Sequence, residues 1–266
     1  MSKHKLYGGR TKPTIMVIPD TQAKPNVPDD HMEWAGKWAA EKKPDYIVHI
    51  GDHADMPSLS SYDKGKKGYE GRTYKADINA AKSSMIKFLA PIREEQAKLR
   101  RAKRAEWNPV LVLTLGNHEE RILRAIEVDR MLEGLISIDD LEYKEQGWQV
   151  YPYLEPVIIE GVAFSHFFTS GTMGRPVSSA RALVTKRHMS CVMGHVQQTE
   201  IDLSQKRADG KQLTGLFAGC FYQHDEGYLG FQGNQVRKQV WMLYNVDDGE
   251  FDLHALTLDY LRTRYA

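Results

Sequence analysis

Ile47-Val48-His49-Ile50-Gly51-Asp52-His53-Ala54-Asp55 is the stretch that decides how this chain folds. A short apolar run stops at a glycine, and an aspartate follows at once. A run of this length, bounded by turn residues, suits a strand buried on both faces. The pattern recurs. Thr14–Pro19 is apolar and leads to Asp20 and Gln22, and Val110–Leu115 leads to Gly116-Asn117-His118-Glu119. Farther on, Val157–Ser165 reads as a hairpin turning at Glu160-Gly161 and delivering His166. Cys191–Met193 leads to Gly194-His195-Val196-Gln197. Helical periodicity fills several intervals: about 29–42, where Trp34 and Trp38 share a face; about 76–106; a stretch from near Glu119; and 178–187. Residues 213–220, 236–246 and 251–259 read as antiparallel strands, the last two turning at Asp247-Asp248-Gly249. The alternation defines an α/β protein.

With 266 residues, the chain is long enough for a substantial core. No linker divides it, so one domain over 1–266 is expected, with 1–12 flexible. Net charge is +1, which excludes a global basic field, and any attraction to a polyanion must be local. Cys191 and Cys220 have no CxxC partner and read as buried free thiols. There is no apolar signal segment and no run of about 20 apolar residues, so a cytoplasmic protein is expected. Residues 53–75 show no periodicity and read as a long loop beside the site.

Five strand ends carrying Asp, Asn and His exceed what turn chemistry requires, because ligands of α/β sheets gather at the carboxyl ends of strands. Taken singly, each residue is as well explained by a turn, a cap or a packed histidine. Together they suit two divalent cations: a carboxylate bridges the ions, and imidazole and amide oxygen complete each shell.

The order DxQ, GDxxD, GNHE, H, GHxQ over about residues 14–198 resembles the calcineurin-like metallophosphoesterase superfamily. The usual pattern there is DxH, GDxxD, GNHD or GNHE, H, GHxH. The resemblance implies a four-layer α-β-β-α sandwich, two mixed sheets flanked by helices. It implies Asp52 as the bridging carboxylate, Asp20 on the first metal, and Asn117, His166 and His195 on the second. His118 would be the general acid while a metal-bridging hydroxide attacks, oriented by Asp55, with Glu119 as the second candidate. Gln22 and Gln197 replace the usual histidines and fall on the first site. An oxygen-rich first site favours Mn²⁺, with Mg²⁺, Fe²⁺ or Zn²⁺ as alternatives, and predicts weaker binding there than at the second.

The arginines of Ser/Thr phosphoprotein phosphatases are missing: Met56 and Pro57 follow Asp55, and Leu115 and Gly116 precede Asn117. A dianionic monoester wants such a bidentate clamp more than a diester does. A phosphodiesterase or nuclease acting on DNA, RNA or a nucleotide is therefore expected ahead of a phosphomonoesterase or a non-catalytic member. Arg121 and Arg124 could stand in for the clamp. Tyr62, Lys66, Lys67 and Arg72 offer rings and cations for a nucleic acid, and His53 is a further candidate at the pocket wall. The basic run from Lys98 to Arg104 reads as a solvated helix face, and His224-Asp225-Glu226 as a loop. No membrane and no obligate protein partner is expected. Compactness and the glutamine variants resemble phage-encoded members, which would act in the host cytoplasm.

Overall fold

The computed structural model describes residues 12–61, 65, 69–227 and 229–266. Strand β1 (Ile15–Ile18) shows how the architecture arises. All four of its side chains are buried, but on opposite faces: Ile15 and Val17 enter one apolar cluster, Met16 and Ile18 another. A strand whose two faces are both covered needs a layer on each side.

On the Met16 side lie two helices, α1 (Asp30–Lys42) and α2 (Tyr74–Arg101). Trp34 and Trp38 of α1 are both buried there. Strands β2 (Tyr46–His49) and β3 (Val110–Thr114) run parallel to β1 and repeat its split: Ile47 and Leu113 face the helices, Val48 and Val112 face the other way. Helix α3 (Arg121–Val128) follows β3, and β4 (Gln149–Tyr151) extends the sheet in parallel.

The second sheet is built from β5 (Val157–Ile159), β6 (Val162–Ser165), β7 (Ser190–Met193), β8 (Thr199–Lys206) and β9 (Gln212–Ala218), in the order β5-β6-β7-β9-β8. Strands β6, β7 and β9 are parallel; β5 and β8 are antiparallel edges. Phe164, Val192 and Leu216 point inward to Val17 and Val48, while Ala163, Cys191 and Phe217 point outward to helix α4 (Ala180–Arg187). The short helix α5 (Gly230–Gly233) precedes β10 (Gln239–Asp247) and β11 (Glu250–Thr257), which complete the first sheet in the order β11-β10-β1-β2-β3-β4. Helix α6 (Leu258–Tyr265) joins the α1 layer. Three apolar clusters thus separate four layers, α-β-β-α, with two mixed sheets.

Several boundaries differ from the sequence reading. The long helix runs 74–101 rather than 76–106, capped by Thr73, whose side chain accepts from the Ala76 amide. The loop before it is broken by a 3-10 turn at Pro57–Leu59. The helix after His118 starts at Arg121 because 117–120 form a turn. The last strand stops at Thr257, whose side chain caps α6. Residues 1–11, expected to be flexible, lie outside the described residues. Cys191 and Cys220 are buried free thiols. Among the described residues no helix is long and apolar enough to cross a membrane.

Candidate metal centre

Strands β1, β2 and β3 are parallel, so Asp20, Asp52 and Asn117 emerge at one end of the first sheet. Strands β6 and β7 are also parallel and bring His166 and His195 to the facing end of the second. The loops pack closely. A Cβ on Gly116 would come within 2.1 Å of Asp52 Oδ1, and one on Gly194 within 2.4 Å of Asp20 Oδ1. Any larger residue would push the carboxylates aside. Gln22, Asp52 and His195 adopt left-handed backbone conformations, with φ of 42°, 50° and 65°. Non-glycine residues held there cluster at functional sites.

Asp52, His166 and His195 each offer a ligand atom, all within 4.8 Å of one another. Asn117 Oδ1 lies 2.9 Å from His166 Nε2 and 2.8 Å from His195 Nδ1. Asp52 Oδ2 is 3.4 Å from the same His166 Nε2. His166 Nδ1 donates to the Ile50 carbonyl, 3.0 Å away, which fixes the proton on Nδ1 and leaves Nε2 with a lone pair in the neutral ring. Burial lowers the pKa of His166, and that of His195 to about 4, so both rings are neutral. Lone pairs of one nitrogen and two oxygens therefore face each other beside a second imidazole. That grouping fits a divalent cation, and the backbone bond to His166 is the outer-shell support such ligands ordinarily have.

The Asp20 side differs. Asp20 Oδ1 accepts from the His195 amide at 3.1 Å, and Oδ2 accepts from Gln197 Nε2 at 2.9 Å. Gln197 Oε1 in turn accepts from the Tyr222 hydroxyl at 3.0 Å. The sequence reading has the Gln197 carbonyl aimed at the first metal; here its amide nitrogen faces that side, because a carboxylate selects the donor edge of an amide. Gln22 is buried and its backbone amide donates to the Asp52 carbonyl at 2.9 Å. Burial and the neighbouring Asp52 raise the Asp20 pKa well above the carboxylate range. Burial would raise Asp52 too, but His118 and His166 outweigh it and hold it low.

His118 stands beside these groups, its Nε2 3.6 Å from Asp52 Oδ2. Its Nδ1 donates to Asp55 Oδ1 at 2.7 Å, which turns Nε2 toward the cleft. Burial alone would lower its pKa, but Asp52 and Asp55 outweigh burial and raise it to about 9. Asp55 is held below the usual range: burial opposes this, and the His118 bond, Lys24 and Arg121 override it. Arg121 Nη1 donates to the Asp55 carbonyl at 2.7 Å, and its Nη2 lies 3.2 Å from His118 Nε2. Glu119, the other carboxylate considered for orienting His118, is spent elsewhere. It accepts from the backbone amides of Asp52, Ala54 and Gly116 at 3.1, 2.8 and 2.8 Å, locking two motif loops together.

The cleft over these groups has a volume of about 1280 Å³. Arg72 and Arg121 line it. Arg124 instead lies over the Tyr153 ring. Tyr62, Lys66 and Lys67 lie outside the described residues. His53 does not reach the cleft: it is wholly buried, and its Nε2 donates to the Ala81 carbonyl at 3.0 Å. Its bare Nδ1 then accepts from the Thr21 hydroxyl at 2.9 Å, and Thr21 Oγ1 accepts from His49 Nε2 at 3.1 Å. This chain ties the first two motif loops to α2. The basic run near Arg101 sits at the far end of a 28-residue helix, about 40 Å from the N-terminal turn that borders the cleft.

Sequence reasoning missed Lys24 and Tyr222 as neighbours of the site and read Glu226 as part of a loop. Strand β9 is parallel to β7, so the segment after Ala218 emerges at the same rim. Strand β9 itself was legible, and the parallel run of its neighbours was the signal that could have led to the residues beyond its carboxyl end.

No family model matches the chain. The gene 54 protein of Mycobacterium phage D29 is 37% identical over 110 residues, covering 40% of this chain and 36% of that protein. The chain thus spans about a third of that relative's length. A conserved protein of Streptococcus pneumoniae TIGR4, described as a predicted phosphoesterase, shares 12% identity over 94% of this chain and 92% of its own, with a TM-score of 0.40. Yfce, a phosphoesterase from E. coli, shares 14% over 91% and 98%, with a TM-score of 0.38. The likeness in shape to both is remote.

Proposed function

We propose that the chain is a two-metal phosphoesterase that hydrolyses phosphodiesters of nucleic acids or nucleotides. One observation carries the reading: His166 Nε2, Asn117 Oδ1 and Asp52 Oδ2 converge within 3.4 Å of that nitrogen, beside the Asp55-bound His118. Asp52, Asn117, His166 and His195 would hold one ion. Asp20, Gln22 and the shared Asp52 would hold the other, with Gln197 after its amide turns. The oxygen-rich donor set there suits Mn²⁺ or Mg²⁺. Divalent ions so held would supply an acidified water and charge neutralisation on the phosphoryl oxygens.

The chain's own residues do the rest. As the water oxygen bonds to phosphorus, the ester P–O bond breaks and His118 Nε2 gives its proton to the departing oxygen. Asp55 keeps the ring in register through Nδ1. The Arg121 guanidinium beside Nε2 opposes the charged ring and so favours release of that proton. General acid work of this kind contributes about 10²–10⁴-fold.

Diester preference is supported by how the cleft's cations are engaged. Lys24 pairs with Asp55 and Glu226, Arg121 bonds Asp55, and Arg72 donates to the Pro57 carbonyl at 3.1 Å. None presents the open fork that a dianionic monoester wants. The test is turnover by the purified protein with Mn²⁺, Mg²⁺ or Zn²⁺. The substrates are a bis-aryl phosphodiester, an aryl monoester, and labelled single- and double-stranded DNA. Metal-dependent diester or DNA cleavage is expected. Turnover of the monoester alone would overturn the diester reading, and metal binding without any turnover would overturn the enzyme reading.

A further inference from the structure

Lys24 sits four residues after Asp20 and lines the cleft together with Asp52, Asn117 and His118. Its Nζ is 3.2 Å from Asp55 Oδ2, and the other oxygen of Asp55 holds His118. The ammonium is therefore one carboxylate away from the general acid. On its other side Nζ is 2.5 Å from Glu226 Oε1, which also accepts from His224 Nε2 at 2.6 Å. Glu226 is only 4% exposed and belongs to the cleft wall beyond β9.

Lys24 and Arg121 bring two positive charges; Asp55 and Glu226 bring two negative ones. These four charges sum to zero beside the His118 ring. Without Glu226, the quartet would carry a net positive charge facing the cleft and reward a second negative charge on the substrate. Burial makes the effect larger than at an exposed pair, since screening by solvent is reduced. The main chain of Glu226 is held separately: its amide donates to Asn234 Oδ1 at 2.8 Å, and its carbonyl accepts from Asn234 Nδ2 at 2.9 Å. A change at the carboxylate alone leaves those bonds in place.

We infer that Glu226 is a specificity-determining residue: by neutralising Lys24 it biases the cleft toward monoanionic phosphodiesters and against dianionic phosphate groups. The inference rests on the diester reading above. The decisive experiment compares wild type, Glu226→Gln, Glu226→Asp and Lys24→Met, each loaded with Mn²⁺. Two quantities are read: inorganic phosphate binding by calorimetry, and the monoester-to-diester ratio of kcat/KM. Glu226→Gln should tighten phosphate binding and raise the ratio, each on the order of tenfold. Glu226→Asp should restore both toward wild type. Lys24→Met, which leaves Arg121 facing two carboxylates and so one negative charge in excess, should weaken phosphate binding by a similar factor, and it carries the test if Glu226→Gln does not fold. Equal phosphate affinity in wild type and the folded Glu226→Gln variant overturns the inference even if wild type prefers diesters. A wild type that hydrolyses only monoesters overturns the diester reading, while the phosphate titration still decides whether Glu226 gates charge.

Discussion

The two halves of the candidate metal centre solve the same electrostatic problem differently. Around His166, lone pairs of Asn117 and Asp52 meet a bare ring nitrogen, and no donor hydrogen separates them. Around Asp20, the carboxylate is already served by the His195 amide and the Gln197 amide nitrogen, with Tyr222 holding the far end of that glutamine. The first arrangement asks for a cation. The second is satisfied without one and must rearrange to accept it. Under the proposed two-metal reading the affinities would be unequal, tighter at the His166 side and weaker at the Asp20 side.

Four changes would break or sharpen that contrast. Asp52→Ala removes the group both halves share and should abolish binding of both ions; normal metal content by elemental analysis would end its bridging role. His118→Ala lies outside both halves. It should keep both ions and lose about 10²–10⁴-fold in kcat, and undiminished turnover would remove His118 from the chemistry. Tyr222→Phe should act on one half only, releasing Gln197 to turn and tightening the first ion about tenfold while the second is unchanged. Calorimetric Mn²⁺ titration reads both sites, and identical isotherms would show that the Tyr222 bond does not hold Gln197 back. Thr21→Val should touch neither ion. It strands His53 Nδ1 and His49 Nε2 in the core, at a cost of about 1–3 kcal/mol, read as a lower denaturation midpoint.

Strands β1, β2, β3, β6 and β7 were legible because both faces of each are covered, so the sequence shows unbroken apolar runs. The residues after them were legible because strand ends gather in one place. Strand β8 was not, since most of its side chains are exposed and no apolar period marks it. The strand read over 251–259 overran into the first two residues of α6 because Leu256 and Leu258 continue the alternation, and Thr257 reveals the break only as a cap. His53 was misplaced because adjacency to Asp52 does not say which way a ring points. The orientation of Gln197 depends on which edge of an amide meets Asp20, and composition carries no trace of that. Glu226 was read only as part of a loop, and Tyr222 escaped notice, because neither belongs to any motif.

The centre also straddles a seam. Asp52 and Asn117 come from one sheet, His166 and His195 from the other, and an apolar cluster fills the layer between the sheets. An ion held by both sets would clamp the sandwich shut at its open end. Loading and folding would then be one linked equilibrium, with about 2.7 kcal/mol of added stability at a free-ion concentration one hundred times Kd. Where metal is scarce, the sandwich would lose its clamp as well as its chemistry.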